Sequence, residues 1–133
     1  MPSRTAVLSL AVVFGLLFLP GCSNAFNPFC GSARPAPLIG SLSPSTVTFA
    51  QVQQGVLLTV NGSHFVSASE IVINSTALGP TIISTQQLQV KLTTDVISGP
   101  GQFNIKVMTP SGNVGDVGCT SGGTSSALVL TVN

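Results

Sequence analysis

The side chains able to do chemistry are few in this 133-residue sequence, and their spacing limits what they can do. His64 is the single His, and the carboxylates are Glu70, Asp95 and Asp116. A general base must lie within hydrogen-bond reach of the proton it takes, and a nucleophilic triad needs a further group to orient that base. No such relation follows from this spacing. His64 stands in the run Gly62-Ser63-His64-Phe65 and reads as an exposed turn residue. The three carboxylates could gather around Ca²⁺ only with several backbone carbonyls, and their separation fits no calcium loop, so they read as surface groups. No catalytic, cofactor-binding or metal-ligating residue is assigned, and the chain is not read as an enzyme. Three thiols complete the inventory: Cys22, Cys30 and Cys119.

Charge narrows the partners further. Only 5% of the residues are charged, against roughly a quarter in ordinary soluble domains. The formal net charge of +1 leaves no basic field to neutralise phosphates, so nucleic acid is excluded as a partner. Ser, Thr, Gly and Gln take the polar positions that Lys and Glu usually fill, while Trp and Tyr are absent.

The first residues are a leader rather than part of a fold. Arg4 supplies a short positive region, and the uncharged run 6–19 is shorter than the ~20 residues needed to cross a bilayer. Leu19-Pro20-Gly21-Cys22 then resembles the lipobox of bacterial lipoprotein precursors, which implies cleavage before Cys22 and lipidation of its thiol. Pro20 departs from the usual pattern. The competing readings are an ordinary secretory signal cut nearby, with Cys22 a plain thiol or a disulfide partner, and an uncleaved anchor. Once residues 1–21 are removed, Arg34, Lys91 and Lys106 balance Glu70, Asp95 and Asp116, so attachment to a membrane must come from acyl chains. Ser23 follows the cysteine where an Asp would resemble an inner-membrane retention signal, so a host with two membranes would carry the protein on the outer one. The expected location is the bacterial cell envelope.

Residues 22–35 have no periodicity and are rich in Asn, Pro and Gly; they read as a tether reaching roughly 50 Å when extended. Phe26 and Phe29 are its bulky groups, read as packing against the domain, with insertion among lipid headgroups as the alternative.

Beyond the tether the apolar pattern alternates, as half-buried strands require. Val56, Leu58 and Val60 share one face, as do Ile71 and Ile73; Leu88, Val90 and Leu92; Phe103, Ile105 and Val107; and Leu128, Leu130 and Val132. Weaker strands are read at 38–42 with 47–49 and at 81–84. Gly and Pro clusters punctuate them at 62–63, 78–80, 98–101 and 110–112. No helix is predicted. The expected fold is all-β, with about seven strands in two antiparallel sheets that bury one face each.

Within that pattern a resemblance becomes specific. Ile39-Gly40-Ser41-Leu42-Ser43-Pro44, Leu58-Thr59-Val60-Asn61-Gly62-Ser63-His64-Phe65, Ile71-Val72-Ile73-Asn74 and Gly123-Thr124-Ser125-Ser126-Ala127-Leu128 resemble, in order, the signatures of IPT/TIG domains. The resemblance spans residues 36–133 and implies an immunoglobulin-like antiparallel sandwich. It also gives roles: Pro44 ends the first strand segment, Gly62 permits a turn, and Phe65 anchors it from below. Asn74-Ser75 replaces the usual Asn-Gly turn, and the segment 110–124 is longer than the family's connection.

Such a sandwich would place the tether beside the loop holding Cys119. With Cys22 acylated, Cys30 and Cys119 are the thiols left to an oxidising compartment, and a Cys30–Cys119 disulfide is expected, two separate thiols being the alternative. Asn61-Gly62-Ser63 and Asn74-Ser75-Thr76 match glycosylation sequons, read as chance in a bacterium.

Two functions remain. The first is a non-catalytic, lipid-anchored envelope module with a structural, adhesive or protein-interaction role, meeting another envelope protein. The second is a carbohydrate-binding module that meets polysaccharide. The absence of Trp and Tyr removes the aromatic platforms that usually hold sugar rings, and Phe49, Phe65 and Phe103 sit where core or turn anchors belong.

Overall fold

The computed structural model describes residues 34–112 and 121–133. The leader, the tether through residue 33 with Phe26 and Phe29, all three cysteines and Asp116 lie outside the described residues, so neither lipidation of Cys22 nor the Cys30–Cys119 pairing is tested by it.

The elements follow the alternation in chain order: β1 (Leu38–Ser43), β2 (Thr46–Val47), α1 (Phe49–Gln54), β3 (Val56–Ser63), β4 (Glu70–Ile73) and β5 (Thr76–Leu78). Then come β6 (Thr81–Ser84), β7 (Gln87–Leu92), β8 (Gly101–Thr109), β9 (Gly123–Thr124) and β10 (Leu128–Val132). One sheet runs β1-β3-β7-β6, and the other β2-β10-β8-β4-β5, with β9 added beside β8. This is the expected all-β, immunoglobulin-like sandwich. The pairing is not wholly antiparallel, however, because β2 runs parallel to β10. The chain leaves the first sheet after Ser43, passes a cis Ser43–Pro44 bond and joins the second within a few residues.

Burial explains why the two sheets stack. Leu58, Val60, Leu88, Val90 and Leu92 from one sheet meet Ile71, Ile73, Ile105, Val107, Leu130 and Val132 from the other in a single apolar cluster. Each strand turns one face inward because successive side chains point to opposite sides. Phe49 and Phe103 pack partly buried against this cluster, and Phe65 is 1% exposed.

Two expectations are corrected. A helix exists where none was predicted: Thr48 caps α1, its hydroxyl accepting from Gln51 N while the Gln51 side chain accepts from Thr48 N. This reciprocal box satisfies amides that the first turn would leave without partners, and it outweighs the short alternation through Phe49. The helix buries Val52 and stops at Gly55, whose φ of 81° suits glycine. Ile97, in the turn after β7, is a further core residue outside the alternating strands. Gly62 is not a turn residue but lies inside β3, opposite the irregularity in β1 between Ile39 and Ser41. A Cβ there would strike Leu38 O and come within 2.6 Å of Phe65 Cζ, so the requirement is close approach.

Asn74 takes φ 54°, a conformation that Asn tolerates better than most residues, and its Oδ1 accepts from Asn104 N at 2.9 Å. The connection from β5 to β6 carries the chain from the second sheet back to the first across Gly79-Pro80, with Leu78 and Ile82 both packed against the core.

Candidate functional site

The sandwich has two poles. Residues 34–37, the β3–β4 loop, the β6–β7 turn, and residues 110–112 and 121–122 share the near pole, whereas α1, the turn after β7 and Asn133 share the far one. The sequence-predicted reactive groups are distributed between them. His64 is exposed at the near pole with φ 62°, its Nδ1 lying 3.3 Å from Ala36 O, in keeping with a turn residue. Glu70 opens β4 opposite Met108 near the same pole. Asp95 sits beyond the far end of β7, where its carboxylate accepts from Thr93 Oγ1 at 3.5 Å. Among the described residues no three His, Cys, Asp or Glu side chains gather where they could hold a metal ion.

The near pole holds the incoming chain firmly. Arg34 N donates to Ser121 Oγ at 2.8 Å, Gly122 N donates to Arg34 O at 2.7 Å, and the Arg34 guanidinium donates to Pro110 O at 3.1 Å. Ser121 Oγ also accepts from Gly112 N at 3.3 Å, so one hydroxyl joins three stretches of chain. Deeper in the same pole, Ser69 and Thr109 are buried with their hydroxyls 3.0 Å apart, and Ser69 Oγ accepts from Val66 N. These buried polar groups are therefore satisfied, as low-dielectric surroundings demand.

Beside the pole, on the outer face of the first sheet, lies a hollow of about 300 Å³ lined by Asn61, Gly62, Ser84, Gln86 and Gln87. Its geometry follows from strand register. Asn61 and Gln87 are direct partners across β3 and β7, so their side chains emerge side by side on the outer face. Gln87 Nε2 donates to Asn61 Oδ1 at 3.0 Å, and Asn61 Nδ2 donates to Ser41 Oγ at 3.3 Å, giving a chain of oriented polar groups across three strands. Two pairs further along, on the same face, Gln89 Nε2 donates to Thr59 Oγ1 at 3.3 Å. The rim is tied down as well. Gly62 N donates to Gln86 O at 2.9 Å, Phe65 N donates to Thr85 O at 2.9 Å, and Gln86 N donates to Ser84 Oγ at 3.1 Å. Sequence reading missed this cluster; the signal that could have found it is the density of Gln and Asn on the polar face of two strands that the alternation already pairs.

Fold and site together define a class first: an immunoglobulin-like β-sandwich module whose surface offers hydrogen-bonding groups more than charges. The chain belongs to the IPT/TIG domain family, which matches residues 37–130. No curated protein matches it. Among solved structures, the chain is similar to an auxiliary nutrient binding protein from Bacteroides ovatus ATCC 8483, at 17% identity and a TM-score of 0.46. That match covers 83% of this chain and 22% of the other.

Proposed function

We propose that this protein is a non-catalytic, lipid-anchored module of the bacterial cell envelope, serving a structural, adhesive or protein-interaction role. The observation that carries the proposal is the attachment of the incoming chain to the near pole by Arg34, Ser121, Gly122 and Pro110. Three hydrogen bonds over one residue fix the point at which the tether meets the domain, and so fix which pole the tether leaves from. The leader and Leu19-Pro20-Gly21-Cys22 supply the anchor, and several acyl chains would make it lasting where one alone binds marginally. The near pole then faces the lipid, and the sheet faces and far pole are turned toward other envelope components.

Intact mass spectrometry of membrane-extracted protein tests the anchor. The expected species starts at Cys22 and carries acyl chains, and Cys22→Ser protein leaves the membrane fraction. An unlipidated mature chain, or Cys22→Ser protein that still sediments with membranes, refutes it.

A further inference from the structure

We propose that the hollow at Asn61, Gln86 and Gln87 binds a neutral saccharide, as one or two hexose units of a longer glycan. The inference rests on the reading of the chain as a non-catalytic surface module and adds the chemistry of what that surface meets.

The lining decides the ligand class. Asn61, Gly62, Ser84, Gln86 and Gln87 contribute amides, a hydroxyl and backbone, with no ionisable group and no apolar side chain among them. A charged ligand would have to give up hydration without a counter-charge, which is unfavourable. An extended peptide takes its specificity from pockets for alternate side chains, and this lining offers none. What remains is a neutral molecule dense in groups that both donate and accept. A carboxamide presents a donor and an acceptor side by side, and neighbouring sugar hydroxyls present the matching pair.

The amides of Asn61 and Gln87 are also held in place before any ligand arrives. The Gln87 to Asn61 to Ser41 chain uses one Gln87 N–H, the Asn61 carbonyl and one Asn61 N–H. By the inventory of a primary amide, this leaves the Gln87 carbonyl and one N–H on each residue for a ligand. Fixing them in advance lowers the entropy lost on binding. Affinity should nevertheless be weak, on the order of millimolar, because no aromatic face adds stacking. The absence of Trp and Tyr thus argues against a sugar platform without arguing against a hydrogen-bonded sugar hollow.

The test is two-dimensional amide NMR of the full processed chain in detergent micelles, titrated with neutral tetrasaccharides (maltotetraose, cellotetraose, chitotetraose and a β-1,4-galactotetraose) and with tetragalacturonate as the acidic comparison. Saturable shifts are expected at the side-chain amides of Asn61, Gln86 and Gln87 with at least one neutral sugar. Gln86→Ala and Gln87→Ala should each weaken binding about two- to tenfold, the value of one or two hydrogen bonds. Gln102→Ala, exposed on the opposite sheet, should leave it unchanged. Gln86→Ala guards against misfolding, since the Gln86 side chain is exposed and its backbone contacts to Gly62 and Ser84 are kept. No shift at ~100 mM of any neutral sugar, preference for the acidic one, or binding indifferent to both Gln substitutions overturns the proposal. None of these outcomes touches the lipid anchor, whose own test reads mass and membrane fractionation.

Discussion

Replacing Gly62 by Ala would add one methyl group at the place where β1, β3 and the Phe65 ring converge. The new Cβ meets Leu38 O in the facing strand and Phe65 Cζ at 2.6 Å, so neither neighbour can stay where it is. Phe65 is 1% exposed and enclosed in the core, and Leu38 pairs with Ser63 at the start of the β1 ladder. Either β1 lifts from β3 or the ring shifts. Overpacking of this kind costs about 1–3 kcal/mol, and loosening one ladder hydrogen bond adds about 1 kcal/mol. The smaller conformational freedom of Ala in the unfolded chain returns about 0.4–1 kcal/mol. A net loss of about 1–3.5 kcal/mol follows from these terms, equivalent to a fall in Tm of roughly 4–28 °C for a domain of about 100 residues. Urea unfolding followed by circular dichroism measures it, with Gly79→Ala as the control, because a Cβ at Gly79 has nothing within 4 Å. The control should be neutral or slightly stabilising. A Gly62→Ala loss below about 0.5 kcal/mol at unchanged m-value would refute the close-approach argument.

Two other predictions concern the core and the near pole. Leu58→Ala should cost about 2–5 kcal/mol in the same unfolding assay, since Leu58 is fully buried between the sheets; a loss under about 0.5 kcal/mol would mean that the site collapses freely. Non-reducing peptide mapping should recover Cys30 linked to Cys119, and two free thiols would refute the link. Arg34 meets Gly122 and Ala36 lies beside Gly123, so the two segments run in the same direction, and both cysteines lie a few residues upstream of that contact. The bridge would shorten the free tether from roughly 50 Å to roughly 28 Å of reach.

The strands were legible because their alternation is thermodynamic in origin: Leu58 and Val60, or Ile105 and Val107, must share a face for either sheet to bury anything. Phe49 misled the reading because Val47 and Phe49 continue an alternating run, while the Thr48 and Gln51 box that starts α1 is a local hydrogen-bond pattern invisible to hydropathy. Ile97 is hidden for a different reason, since the adjacent pair Val96-Ile97 in a turn has no period. Gly62 reads as a turn former in the sequence, and only the placement of Leu38 O and Phe65 around it shows that space is what it supplies. The hollow was least legible of all. Asn61 and Gln87 become neighbours only through the β3–β7 register, and uncharged amides leave no mark in a charge or motif survey.

The passage from β5 to β6 also bears on how such a module keeps its sheet edges from pairing with those of its neighbours. Many β proteins keep their edges from pairing with one another by placing Lys or other charges on them, a device a chain with 5% charged residues can seldom use. Here the protection is geometric. β5 offers only Thr76–Leu78 before the chain changes sheets at Gly79-Pro80, and β6 offers Thr81–Ser84, interrupted by an irregular register between Ile82 and Ser84. A neighbouring molecule seeking to extend either sheet at the β5 or β6 edge finds three or four residues before the template turns away. Straightening this passage, for example by removing Gly79 and Pro80 together, would be expected to turn a dispersed protein into an aggregating one without any change in its charge.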